Sequence, residues 1–492
     1  MKAVQACLLA ILFLFVSVSP VLAGNDNFTN TESVVLAVKG DPASSHASDP
    51  NHADAHHDPA PWSVIPFVLL LLMIATGPLF YPHFWHKRYP LVAILLGMVV
   101  VIYYLFFLKD FHHPVHSLAE YVSFIALVGS LFVASGGILI KVDKEGTPMV
   151  NVLMLLFGAV IANIIGTTGA SMLLIRPFIR LNKHRIKPYH VIFFIFIVSN
   201  VGGSLTPIGD PPLFLGFLKG IPFEWTFFHL WPMWLFGILA LAATFFFWDK
   251  RNHKGENKPE AKYTGKIEVK GAKNLIWLGI IIIAVFLDPN VFDWVPAINY
   301  DGFKISFIRE AIMLAVAVLS YKTANKDALK GNEFDFEPIR EVAFLFIGIF
   351  ATMMPALQLI GGFAKGNPDI ITVDSLYWLT GGLSGVLDNA PTYLNFLSAG
   401  MGKVGLDIGS KADILTYVAE QGNSLMAISV AAVFFGAFTY IGNAPNFMVK
   451  SIAEQVGVDM PAFIKYIVKY SIPILLPILF LTWVIFFSGW LF

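Results

Sequence analysis

From about residue 60 onward the chain alternates long apolar stretches with short polar ones. The apolar stretches have the length, about 18 residues or more, that carries a helix across roughly 30 Å of hydrocarbon. They predict ten full spans, near 62–80, 90–108, 120–140, 189–218, 225–247, 274–287, 304–321, 341–361, 422–450 and 463–491. Two further apolar stretches, near 150–181 and 374–400, are interrupted in the middle and read as re-entrant hairpins. The expected fold class is an all-α polytopic membrane protein.

Loop charge orients this arrangement. Lys87 and Arg88, Lys141 and Lys144, and Lys183, Arg185 and Lys187 fall in three loops that the spans place on one side. The 248–273 segment, with eight Lys/Arg, and the 322–340 loop join them there. The opposite loops carry His112, His113 and His116, or Asp288, Asp293 and Asp301. The positive-inside rule makes the basic side cytoplasmic. The expected location is a bacterial inner (cytoplasmic) membrane, with the mature N-terminus periplasmic.

Composition agrees. Of 492 residues, 56% are hydrophobic and 13% charged, against about 25% charged in a soluble domain. Residues 1–23 have the grammar of a signal peptide: Lys2, an apolar core, then Val21-Leu22-Ala23. Cys7, the single cysteine, lies inside it, so neither a disulfide nor a thiolate metal site is available. Residues 24–60 read as a disordered exported tail. Its His46, His52, His56 and His57 are read as solvated, with metal or pH sensing the sharper alternative.

The polar segment 248–273 divides the spans five and five, so 61–247 and 274–492 are expected to be two repeats. LFVASGGILI (131–140) matches FATMMPALQLI (350–360) in shape. The same offset lays IGTTGAS (165–171) on VLDNAP (386–391), joining Ala170 to Ala390. Further along, LTPIGDPPLF (205–214) lies on FTYIGNAPNF (438–447), a shared T-x-I-G-[D/N]-x-P-x-F. An odd number of spans per repeat inverts the second copy. Inverted repeats with discontinuous helices at matching places mark the site of a secondary transporter. Non-helical backbone at that depth is tolerated only where protein buries it or it lines a wet cavity.

Four interruptions should therefore converge. The first hairpin offers Asn163, Thr167 and Thr168, and the first broken span offers Ser204, Thr206 and Asp210. The second hairpin offers Ser384, Asp388, Asn389 and Thr392, and the second broken span Thr439, Asn443 and Asn446. Unwound carbonyls and half-helix ends suit a small cation, and hydroxyls and carboxamides add hard oxygen ligands. Asp210 and Asp388 are the carboxylates inside the breaks. Na⁺ is expected at these two, because an intramembrane acid is costly and so points to function. A group that holds a proton or a cation exchanges one for the other. The bland alternative is a helix cap, and Asp388 before Asn389-Ala390-Pro391 has good cap grammar. Arg176 is expected to snorkel to the cytoplasmic interface, with pairing to one of the acids the alternative. Glu120 and Glu341 begin corresponding spans; an interfacial anchor and a second proton site are both open for Glu341.

No GxxxxGK[ST] and no HExxH occurs, which argues against an ATP-driven pump and a membrane zinc protease. Nothing suggests an enzyme, a cofactor or a nucleic-acid partner.

NIIGTTGASMLLIRPFIRLN (163–182), SNVGGSLTPIGDPPLFLGFLKGIPFEW (199–225), GVLDNAPTYLNF (385–396) and AFTYIGNAPNFMVKSIAE (437–454) resemble the NhaD-type sodium/proton antiporters of the ion transporter superfamily. The resemblance covers the chain after residue 60. It implies an inverted-repeat fold, often a homodimer, with a scaffold and a moving transport domain. It implies exchange of Na⁺ or Li⁺ for H⁺, serving pH homeostasis, with Asp210, Asp388, Asn389, Thr206 and Asn443 foremost. Dicarboxylate carriers of that superfamily carry Ser-Asn-Thr at both hairpin tips, whereas here the tips read GTTGAS and LDNAPT. Sodium-coupled uptake of a small organic anion is the alternative.

Overall fold

The computed structural model describes residues 59–253, 264–289, 294–300 and 303–489. The signal segment with Cys7, the tail histidines His46, His52, His56 and His57, residues 254–263 of the polar linker, and Asp293 and Asp301 lie outside the described residues. The described chain is mostly helical. Its helices are α1 Ile65–Phe80, α2 Pro82–Leu108, α3 His112–Gly136, α4 Pro148–Leu181, α5 Pro188–Ile197, α6 Pro211–Lys219 and α7 Phe223–His253. After the linker come α8 Lys273–Val285, α9 Ile308–Thr323, α10 Lys326–Gly331, α11 Glu337–Gly366, α12 Val373–Ser384 and α13 Asn389–Lys403. The last are α14 Lys411–Glu420, α15 Gly422–Phe435, α16 Ala444–Gln455 and α17 Phe463–Phe486.

Seven helical stretches are long and apolar enough to cross a membrane, α1 being counted with the 3₁₀ turn before it as Pro61–Pro78, and an eighth if α14 and α15 count as one bent span. Ten full spans were expected; four of those stretches do not form a crossing helix, each for a local reason, while α4, expected to be a re-entrant hairpin, runs from Pro148 to Leu181 as one helix kinked at Gly166 and is among the seven. The 189–218 and 422–450 stretches are each cut into two short helices by their Gly/Pro/Asx runs. The 274–287 and 304–321 stretches form helices of 13 and 16 residues, below the crossing length. Helix α14, which periodicity did not mark, meets α15 at 98°.

The linker also holds more structure than its polarity suggested. Helix α7 runs on to His253. Strand β2 (Ile267–Lys270) then pairs antiparallel with β1 (Leu139–Val142), setting Leu139 opposite Lys270. A second small hairpin joins β3 (Ile298–Tyr300) to β4 (Phe303–Ile305).

Helices α1, α2, α3, α8, α9 and α11 form a frame. Helix α2 lies against α11 where Gly348 faces Ala93; a methyl added at Gly348 would come within 2.8 Å of Ala93. Small residues let two helix backbones approach closely. The opposite face of α2, with Leu91, Leu95, Met98, Val99 and Ile102, is exposed, as expected of a surface against hydrocarbon. Apart from the frame, α5 is buried from Tyr189 through Ile197 against α4, α7 and α16, and α15 from Ala427 through Phe435 against α12 and α13. A helix that is apolar all round belongs in the centre of the protein. Helix α4 packs on α3, α13 packs on α11 and α6, and α16 packs on α4 and α5.

Candidate functional site

Backbone comes first, because four short breaks set where every polar side chain points. Helix α4 is broken at Gly166, whose φ of 77° and ψ of 156° interrupt an otherwise helical run. That region of backbone space is open essentially to glycine alone. Between α12 and α13 the chain turns at Gly385–Asp388. The other two breaks follow one recipe. After α5 a 3₁₀ turn, Val201–Gly203, leads to extended Asp210 and then to prolines at the start of α6. After α15 a 3₁₀ turn, Gly436–Phe438, leads through extended Thr439 to extended Asn443 and to Pro445 at the start of α16. Proline suits these first positions, where its missing N–H is no loss.

Each of these last two breaks then docks on one of the first two by a main-chain bond of the same kind. The Thr167 amide donates to the Gly209 carbonyl at 2.8 Å, and the Asn389 amide donates to the Gly442 carbonyl at 3.2 Å. This equates Thr167 with Asn389. The sequence register that joins Ala170 to Ala390 would instead put Thr167 on Leu387. Apolar flanks match in either register, so only the hydrogen bonds distinguish the two.

Asp210 is the hub. It occupies the N-cap position of α6, yet its carboxylate caps nothing in its own helix. Its Oδ1 accepts from the Thr167 hydroxyl at 2.6 Å and the Asn443 amide at 3.0 Å. Its Oδ2 accepts from the Asn389 amide at 2.7 Å. One carboxylate therefore ties together all four interruptions, and it is 1% exposed. Asn443, its counterpart in the shared motif, likewise leaves its own helix uncapped. Its amide also reaches Asn200 Oδ1 at 3.1 Å and the Ser199 carbonyl at 3.2 Å. The Asn389 side-chain oxygen is buried with no hydrogen-bond partner among the described residues.

The other expected residues divide between a nearby role and a purely local one. Asp388 caps α13, accepting from the Ala390 amide at 3.0 Å, while the Thr392 hydroxyl donates to its carbonyl. The structure thus assigns Asp388 the capping contact, next in the chain to a ligand of Asp210. Asn163 clamps backbone: its amide donates to the Ala159 and Gly202 carbonyls and its oxygen accepts from the Leu205 amide. Thr206 donates to the Asn163 carbonyl and Ser204 to that of Val201. Thr439 accepts from the Ile441 and Gly442 amides, and Ser384 donates to the Ala432 carbonyl. Asn446 donates to the carbonyls of Gly436 and Thr439. These residues hold the breaks open and do not reach Asp210. Arg176 pairs with neither acid: it meets Glu333 at 3.1 Å, which is half-exposed or more.

Sequence reasoning missed Asn200. Its amide donates to Asn446 Oδ1 at 2.7 Å and its oxygen receives Asn443. In the shared register it falls on Val433, so it has no polar counterpart to draw attention. The one available signal was its place immediately before Val201-Gly202-Gly203.

A cavity of about 30 Å³ opens beside Asp210, lined by Thr167, Thr168, Gly209 and, from the frame, Leu127, Leu131 and Phe132. Thr168 reaches the site only as part of this lining. The space suits about one or two water-sized guests.

Comparison with known proteins gives the class. The family described as "Putative citrate transport" matches residues 56–487. The chain belongs to that family. The uncharacterized transporters Mb2703 of Mycobacterium bovis and Rv2684 of Mycobacterium tuberculosis are each 21% identical over 407 residues, covering 79% of this chain and 84% of the relative. The chain is therefore a multi-pass membrane transporter and not an enzyme.

Proposed function

We propose that this chain is a secondary active transporter that exchanges Na⁺ or Li⁺ for H⁺ across the bacterial inner membrane, with Asp210 as the group that takes cation and proton in turn. The observation that carries this is the Asp210 cluster. A fully buried carboxylate at a half-helix start is contacted by Thr167, Asn389 and Asn443, and among the described residues no basic side chain is one of its partners. A cation that displaces those amides would find the Asn389 and Asn200 oxygens close by. The adjoining cavity has room for about one or two water-sized guests, which suits a small ion. Asp388 supplies a second acid one residue from the cluster.

Two inverted repeats, 61–247 and 274–492, account for the paired breaks. The matching order of 3₁₀ turn, extended Asx and proline supports this, as do the two equivalent hairpin bonds. In this reading the basic loops face the cytoplasm and the mature N-terminus the periplasm. The break motifs' likeness to NhaD-type antiporters adds to it.

A second reading, sodium-coupled uptake of a small organic anion, is favoured by the family's description. Everted vesicles carrying a preformed proton gradient and a pH dye separate the two. Under the first reading Na⁺ or Li⁺ collapses the gradient in the absence of any organic anion, and Asp210→Asn does not respond. A response to citrate or a dicarboxylate with none to Na⁺ alone favours the second reading and overturns the first.

A further inference from the structure

Helix α6 has Asp210 at its start and Lys219 at its end. Along its length it lies against α3 of the frame. The Asp210 cavity is lined by Leu127 and Leu131 of α3. Next, Phe214 of α6 meets Phe124 of α3, with ring centroids 6.5 Å apart. At the far end Lys219 Nζ reaches Glu120 Oε1 of α3 at 2.8 Å. The seam between the two helices therefore runs from the candidate site to this ion pair.

A lysine in the last turn of a helix is favoured by the helix dipole alone. That does not explain where this one points. Its ammonium crosses to another element, and the two side chains are only 8% and 10% exposed. His116 Nδ1 lies 3.4 Å from the same carboxylate oxygen. A buried ion pair gives little net stability over apolar packing, and its best-attested use is to fix how two elements meet. The elements fixed here are the helix that carries Asp210 and the frame helix that walls its cavity.

We propose that Glu120 and Lys219 are positioning residues that latch the Asp210 half-helix to α3, and that this seam must open for the site to discharge its cargo. The inference rests on the reading above that Asp210 is the transport site, though not on which cargo is carried. If α6 is one rigid nine-residue piece, a change of contacts at Asp210 is felt at Lys219, about 13 Å away at 1.5 Å per residue.

The test uses the full chain in everted vesicles with Cys7 replaced by Ser, leaving no other cysteine. Glu120→Cys and Lys219→Cys are introduced together and joined by a short bifunctional methanethiosulfonate. Transport is read with Na⁺ under a proton gradient and with labelled citrate under a Na⁺ gradient, so either cargo reports on the latch. The cysteine-free parent with Glu120 and Lys219 intact decides the cargo by itself. Its failure to respond to Na⁺ sinks the antiport reading and leaves the latch to be judged on citrate. The latch predicts that cross-linked carrier stops and that dithiothreitol restores it. It also predicts that Glu120→Gln and Lys219→Met each change the maximal rate by about tenfold, the effect of a modest shift between two states, with the cargo KM little altered. Continued transport by cross-linked carrier overturns the latch, as does failure of the reagent to join the two positions. Wild-type maximal rates in both charge variants overturn it too.

Discussion

Replacing Asp210 separates the role of its charge from the role of its hydrogen bonds. In Asp210→Ala two buried donors lose their acceptor, the Thr167 hydroxyl and the Asn389 side-chain amide, while the Asn443 amide keeps Asn200 Oδ1 and the Ser199 carbonyl. Each buried group left unsatisfied costs about 1–3 kcal/mol, so the change should destabilise by roughly 2 kcal/mol or more. Asp210→Asn is different. The new side chain can keep its oxygen where Oδ1 serves both Thr167 and Asn443. Its new NH₂ then faces the Asn389 NH₂, donor against donor. The Asn389 side-chain oxygen is buried and unpartnered among the described residues, so a half-turn of that amide brings oxygen to meet the new NH₂. The cost should fall to about 1 kcal/mol or less, one neutral hydrogen bond exchanged for another. We therefore expect Asp210→Asn to unfold in detergent at nearly the wild-type temperature while losing cation-dependent proton movement. Asp210→Ala should lose both. Thermal denaturation followed by intrinsic tryptophan fluorescence, paired with the vesicle assay, reads the two properties on the same preparations. Equal destabilisation of both variants would refute the amide half-turn. Full activity in Asp210→Asn would refute the placement of the chemistry at this carboxylate.

The remaining expectations concern the supports of the site. Gly166→Ala puts a side chain at φ 77° and ψ 156°, with its Cβ 3.3 Å from the Ile208 carbonyl. Strain of about 1–3 kcal/mol should appear as a lower melting temperature, and a rise in the cation KM should follow as the Thr167 donor shifts; an unchanged KM counts against that coupling. Asp249→Ala removes the carboxylate that accepts from Arg185 at 2.5 Å, Tyr189 at 2.6 Å and Asn151 at 3.0 Å. It leaves a buried guanidinium without its counter-charge, at a cost of about 3–5 kcal/mol; a melting temperature within error of wild type would show that the network is not needed for stability.

The membrane class and the places where helices break are properties of local sequence. Apolar length and Gly/Pro/Asx content each act within a few residues, so they could be read before any fold was known. The same holds for the pairing of T-x-I-G-D-x-P-x-F at 206–214 with its Asn-bearing counterpart at 439–447. The ranking of the two acids could not be read this way. Asp210 and Asp388 both sit in breaks and both precede helices, yet Asp388 caps its own helix and Asp210 does not. That difference depends on which donors arrive from other parts of the chain, and Asn389 and Asn443 arrive from 179 and 233 residues away. Asn200 escaped notice for the same reason, its partners being some 240 residues distant. The distinction between a span and two half-helices also needed the fold. Apolar runs such as 189–218 have a full crossing length, but hydropathy does not register direction, and a hydrogen bond such as Thr167 to Gly209 does. Local chemistry thus determined that the chain would be broken at these points; long-range packing decided that the breaks would meet on a single carboxylate.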